Sequence, residues 1–160
     1  YVGVIALALP CARVVHAARA PVAAAFSTFC QHFTQGDAVA ASAWAYSLAG
    51  LAAHLRALAA LMRHWEAVVP PERLLTVRYE ELVSRQEAVT RRVAEFAGLA
   101  WEDALLEFHR TPRSVATASV EQVRRPIYTS SLEGWRRYEV QLRPLIAMLE
   151  EEGDDPPLVA

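Results

Sequence analysis

Two short apolar runs with β-branched centres, residues 12–18 and residues 74–79, flank a long stretch whose apolar positions recur at helical spacing. A strand, helices and a second strand in that order give parallel strands of an α/β sheet, because a parallel pair needs a long crossover between its members. The helical stretch divides in two. Pro21 opens the first helix, where a missing N–H costs no hydrogen bond, and residues 22–33 continue it. Asp37 is placed to cap a second helix, whose stripe of Trp44, Leu48, Leu51, Leu55, Leu58 and Trp65 ends before Pro70 and Pro71.

Beyond the second strand, residues 86–97 and 101–109 read as two helices divided by Gly98, a residue suited to a helix C-cap. Residues 111–128 contain two prolines and no clear period, which predicts an extended functional loop or lid. Helix returns over residues 132–152, and the segment 153–160, opening Gly-Asp-Asp-Pro-Pro, reads as a flexible tail. Residues 1–9 predict a short buried helix stopped by Pro10. Arg13, His16 and Arg19 follow too soon for a membrane span. No capping or turn signal precedes that run, so the expectation is a single unit, residues 1–152, that begins inside a larger fold. A chain of 160 residues with 54% hydrophobic content can bury one sizeable core.

A formal net charge of −2 gives no broad field to attract nucleic acid or an anionic membrane, so any anion site must be local. All 16 basic residues are arginine, and a charged contact to phosphate would therefore come from a planar, multi-donor guanidinium. Cys11 and Cys30 lack a paired spacing or a neighbouring Cys/His cluster. They predict neither zinc nor a disulfide, and read as buried thiols of a cytoplasmic protein. His54, His64 and His109 are scattered on helices without a metal-ligand motif.

The candidate binding residues lie where strands end. In open α/β sheets ligands sit at the C-terminal ends of strands, and a helix N-terminus there favours anions. Arg19 ends the first strand, and Ser27 follows on the next helix, so a guanidinium and a hydroxyl can converge on one phosphate. Spacing alone favours reading Arg19 as an ordinary solvated strand-end charge and Ser27 as a helix-face residue. Tyr79 ends the second strand and can touch a flat base, or stand as a half-buried sheet tyrosine. Ser119, Gln122, Arg124, Arg125 and Tyr128 gather donors, cations and an aromatic in the aperiodic loop, which can close over a phosphate or serve as a solvated connection. The run Trp135-Arg136-Arg137-Tyr138 reads as an aromatic anchor at a helix start, with cation–π support of a nucleotide as the alternative.

Taken together, these residues resemble sulfotransferases. Residues 9–16 (Leu-Pro-Cys-Ala-Arg-Val-Val-His), then Arg19-Ala20-Pro21 and Ser27, are similar to that family's 3′-phosphate-binding segment. The similarity is to the bacterial group often joined to tetratricopeptide repeats and related to tyrosylprotein sulfotransferases. Residues 78–83, residues 98–101, Phe108-His109, residues 117–123, residues 126–128, Ser130-Ser131 and residues 135–139 match the same group in the same order. The resemblance implies a P-loop-type, three-layer α/β fold, mostly helical by residue count and incomplete at its N-terminus. It also implies 3′-phosphoadenosine 5′-phosphosulfate as sulfate donor, a hydroxyl acceptor, and no metal. By position, Arg19 and Ser27 would bind the 3′-phosphate, Tyr79 would contact adenine, and Ser119 through Tyr128 would close over the nucleotide. The family's Gly-rich phosphosulfate loop and catalytic base lie upstream of the matching segment, so no catalytic residue is assigned here. Three positions depart from the pattern. Ala20 and Ala23 stand where acidic residues are common, and Gly134 stands where a basic one is. A non-catalytic nucleotide-binding or protein-interaction remnant is the alternative these departures favour.

Overall fold

A computed structural model describes residues 1–31, 42–111 and 123–150. The order of elements is helix α1 (Val2–Ala8), strand β1 (Val14–Ala18), helix α2 (Pro21–Phe29), helix α3 (Leu48–Val68), strand β2 (Leu74–Arg78), helix α4 (Tyr79–Ser84), helix α5 (Gln86–Ala97) and helix α6 (Glu139–Glu150). Short 3₁₀ turns occupy Ala43–Tyr46, Asp103–Arg110 and Gly134–Tyr138. The described chain is mostly helical. It forms two compact units, one of Tyr1–Ala18 with Glu66–Ser131, the other of Arg19–Trp65 with the residues from Leu132 on.

In the first unit β1 and β2 pair in parallel, from Val14 against Leu74 to Ala18 against Arg78. Leu74 and Val77 of β2 are buried with Val83, Val89 and Ala94 of the helices that follow. Two arginines tie down helix ends, whose last carbonyls have no partner inside the helix. Arg73 donates from Nη1 and Nη2 to the Ala6 carbonyl at 3.2 Å, from Nη2 to that of Leu9 at 2.9 Å, and from Nε to that of Ala12 at 3.3 Å. Arg13 donates from Nη1 to the Phe96 carbonyl at 2.6 Å, in the last turn of α5. That helix stops at Gly98, whose φ of +74° is cheap only without a Cβ. The Gly98 N–H reaches the Glu95 carbonyl and the Leu99 N–H reaches that of Ala94, which closes a Schellman cap as the sequence predicts.

In the second unit Val22 and Ala25 of α2, Leu51 and Ala52 of α3, and Leu142, Leu145 and Leu149 of α6 form the core, with Phe26, Trp44 and Trp135 packed against it. Small residues on α2 leave room for the larger ones facing it. Arg56 donates to the Met148 carbonyl at 2.5 Å, which links α3 to α6 by a backbone acceptor. Trp44 stacks on His54 with ring centroids 3.8 Å apart.

Several expectations are corrected. α1 forms but buries none of its residues, and Tyr1 is 99% exposed and Leu7 88%. β1 likewise has no buried residue, and Val15 is 43% exposed, although hydropathy alone predicts a buried strand. Cys11 and Cys30 are exposed thiols, not buried ones. α3 starts at Leu48, with the Ser47 hydroxyl accepting from the Gly50 N–H at 3.3 Å. Asp37, the expected cap, lies outside the described residues. Residues 103–110 form 3₁₀ turns rather than an α-helix, broken at Glu107 where φ is −103° and ψ 30°. The last helix begins at Glu139, seven residues later than its sequence start at 132, because Gly134–Tyr138 is a 3₁₀ turn. Among the described residues no helix is long and apolar enough to cross a membrane.

Candidate functional site

Arg19 follows the last residue of β1 and stands two positions before Pro21, the first residue of α2. Its side chain is half-buried, and its Nε is out of reach of solvent. The strand-to-helix junction is set by two residues. Ala20 takes φ −50° and ψ 126°, the extended conformation favoured before proline, and Pro21 starts the helix with its φ already fixed. Alanine at the N-cap offers no side-chain acceptor to the first turn. The chain thus carries an arginine two positions before the first residue of a helix, and arginine and a helix N-terminus are both groups suited to an anion.

Ser27 lies on the exposed face of α2, while Val22, Ala23 and Ala25 turn into the core. Ala23 is 2% exposed, so an acidic residue at this position would carry a charge into packed hydrocarbon. At Gly134 the reverse holds: an added Cβ would meet no atom within 4 Å, so packing does not demand glycine there. Trp135 packs on the core with Arg136 above its ring at 5.2 Å, and Tyr138 stacks on Phe26 at 5.1 Å. The run Trp135-Arg136-Arg137-Tyr138 is therefore an anchor for the helix that follows.

Tyr79 is placed differently from its expectation as a sheet residue. β2 ends at Arg78, and Tyr79 is the first residue of α4. It is half-buried, and its hydroxyl lies 2.8 Å from that of Ser131, either of which can donate. Glu80 and Glu81 follow in the first turn of α4, where negative charge suits the helix dipole. Glu81 accepts two hydrogen bonds from Arg92 of α5, at 3.1 and 2.8 Å. Those bonds hold the Glu81 carboxyl below its ordinary pKa and raise that of Arg92.

Of the loop residues, Arg124 and Arg125 are exposed and Tyr128 is half-buried, while Ser119 and Gln122 lie outside the described residues. Among the described residues no group of His, Cys, Asp or Glu is arranged to hold a metal ion. The sequence named Tyr79 and, within the family resemblance, Ser130-Ser131, but did not pair the two. Only the folded chain brings Ser131 to Tyr79, across 52 positions.

Residues 1–103 match the model of a family described as the sulfotransferase family, a span that takes in Arg19, Ser27 and Tyr79. Over 151 residues, 94% of its length, the chain is 39% identical to an uncharacterized protein of Aquifex aeolicus (strain VF5). It spans 19% of that relative's length. No solved structure matches it.

Proposed function

The chain belongs to the sulfotransferase family, and from that membership we propose that it supplies the part of a sulfotransferase that holds the nucleotide of 3′-phosphoadenosine 5′-phosphosulfate. Arg19 and Ser27 bind the 3′-phosphate, and Tyr79 supports the adenine. Ser119, Gln122, Arg124, Arg125 and Tyr128 close over the nucleotide. The observation that carries this reading is Arg19, a half-buried guanidinium between the end of β1 and the first turn of α2. A guanidinium offers several donors to a phosphate, and the first turn of a helix favours an anion.

In this reading the fold is a P-loop-type three-layer sheet to which β1 and β2 contribute, in the subgroup associated with tetratricopeptide repeats and tyrosylprotein sulfotransferases. The donor supplies the sulfate that an acceptor hydroxyl takes up. The cradle of that sulfate and the base that removes the acceptor's proton come from residues other than these. What these residues add is position. Holding the remote 3′-phosphate fixes the nucleotide, so binding energy far from the reacting atoms orients the end that reacts.

The test is a nucleotide panel measured by calorimetry on the full-length protein. Tighter binding of 3′-phosphoadenosine 5′-phosphate than of adenosine 5′-phosphate is expected, by roughly one to two decades, the worth of charge-assisted contacts to one phosphate. Equal affinity for the two would reject the reading. Ala20, with no acidic side chain, and Gly134, with room for a basic one, favour a second reading in which the nucleotide is bound without transfer. In that case the panel shows the same selectivity, but donor hydrolysis and sulfation of hydroxyl acceptors are absent.

A further inference from the structure

Tyr79 is held at two places. Its backbone is fixed where β2 passes into α4, and its phenol oxygen is fixed 2.8 Å from the Ser131 hydroxyl, 52 residues further along the chain. A tyrosine ring turns about its side-chain bonds unless both ends are restrained, and each freely rotating side chain that must be ordered on binding weakens the complex. Ser131 closes a stretch that also carries Arg124, Arg125 and the half-buried Tyr128. The hydrogen bond thus fixes the ring assigned to adenine from a residue three positions beyond the loop assigned to close over the nucleotide.

We propose that Ser131 is a positioning residue for the nucleotide, its hydroxyl fixing the plane of the Tyr79 ring that supports the adenine. This rests on the reading of Tyr79 as the adenine contact. Ser131 itself touches neither base nor phosphate, and its effect passes through the Tyr79 phenol.

The experiment compares dissociation constants for 3′-phosphoadenosine 5′-phosphate and for ribose 3,5-bisphosphate, which lacks the base, in the full-length protein. Ser131→Ala and Tyr79→Phe each remove the bond while keeping nearly all the packing. Each should weaken the adenine nucleotide roughly three- to tenfold, the effect of one neutral hydrogen bond. Neither should alter binding of the base-free bisphosphate. The double variant should be no worse than either single one, since both remove the same interaction. Ser131→Thr, which keeps a hydroxyl, should restore most of the loss. Additive losses in the double variant would overturn the proposal. So would an equal loss for both ligands, which would mark Ser131 as merely structural. If Ser131→Ala binds normally while Tyr79→Ala does not, the proposal fails and the adenine assignment stands. If Tyr79→Ala also binds normally, the adenine assignment fails and the proposal with it.

Discussion

Charged residues in this chain act mainly through named backbone or carboxylate partners. Arg13, Arg56 and Arg73 all donate to main-chain carbonyls at or near helix ends, and Arg73 reaches three of them at once through the several donors of its guanidinium. The Glu81–Arg92 pair is the clearest case of a charge with a consequence for pH. Its two hydrogen bonds lower the Glu81 pKa in the folded chain relative to its ordinary value. A carboxyl whose folded pKa is depressed contributes stability that is complete above its unfolded value and is lost as pH falls through the lowered one. Wild type should therefore exceed Glu81→Gln in denaturant midpoint at neutral pH, and the two should converge in acid. A gap that stays constant, or grows, on acidification would show that Arg92 does not set the charge of Glu81. The site is exposed, so the gap at neutral pH should be small.

At the scale of elements, close backbone approach decides what α3 tolerates. A Cβ on Gly50 would stand 2.5 Å from the carbonyl oxygen and 2.9 Å from the Cα of Trp44, both main-chain atoms of the preceding turn. Helix propensity favours alanine over glycine by about 1 kcal/mol, while forcing a group into filled space costs about 1–3 kcal/mol. Since the obstacle is backbone and cannot rotate away, Gly50→Ala should lower the melting temperature. An unchanged or higher one would mean that the 3₁₀ turn at Ala43–Tyr46 moves freely. The elements legible in the sequence were those with a strong local signal. Pro21 marked the start of α2, Gly98 the end of α5, and the β-branched runs marked β1 and β2. Boundaries that depend on a neighbour were not legible. Nothing in Val-Arg-Tyr says that the ladder stops at Arg78, because that is fixed by where Ala18 ends the partner strand. Ser47, one polar residue among several, became a cap only because α3 starts beside it. In the candidate site Arg19 was legible from its place after a strand, and Ser131 from the motif it shares with the family, but the link between Ser131 and Tyr79 was not, for lack of any periodic or local signal joining them.

For the molecule as a whole, hydropathy predicted how much apolar surface the chain has but not where it is covered. Residues of α1 and β1 are apolar enough for a core, yet Leu7 and Val15 stand exposed in this chain, as does Leu9 just after α1. The net charge of −2 offers no general attraction for a multiply charged nucleotide, so selectivity for one must come from particular groups. The account places that selectivity on Arg19, and the most direct measurement is calorimetry on Arg19→Ala with two ligands. Binding of 3′-phosphoadenosine 5′-phosphate should weaken by roughly one to two decades, the worth of a charge-assisted contact of about 1.5–3 kcal/mol, while adenosine 5′-phosphate loses little. Arg63→Ala, an exposed change on α3, is the control and should alter neither; Arg56 is unsuitable because it holds the Met148 carbonyl. If Arg19→Ala weakens both nucleotides equally, or neither, Arg19 does not bind the 3′-phosphate and the central claim is wrong.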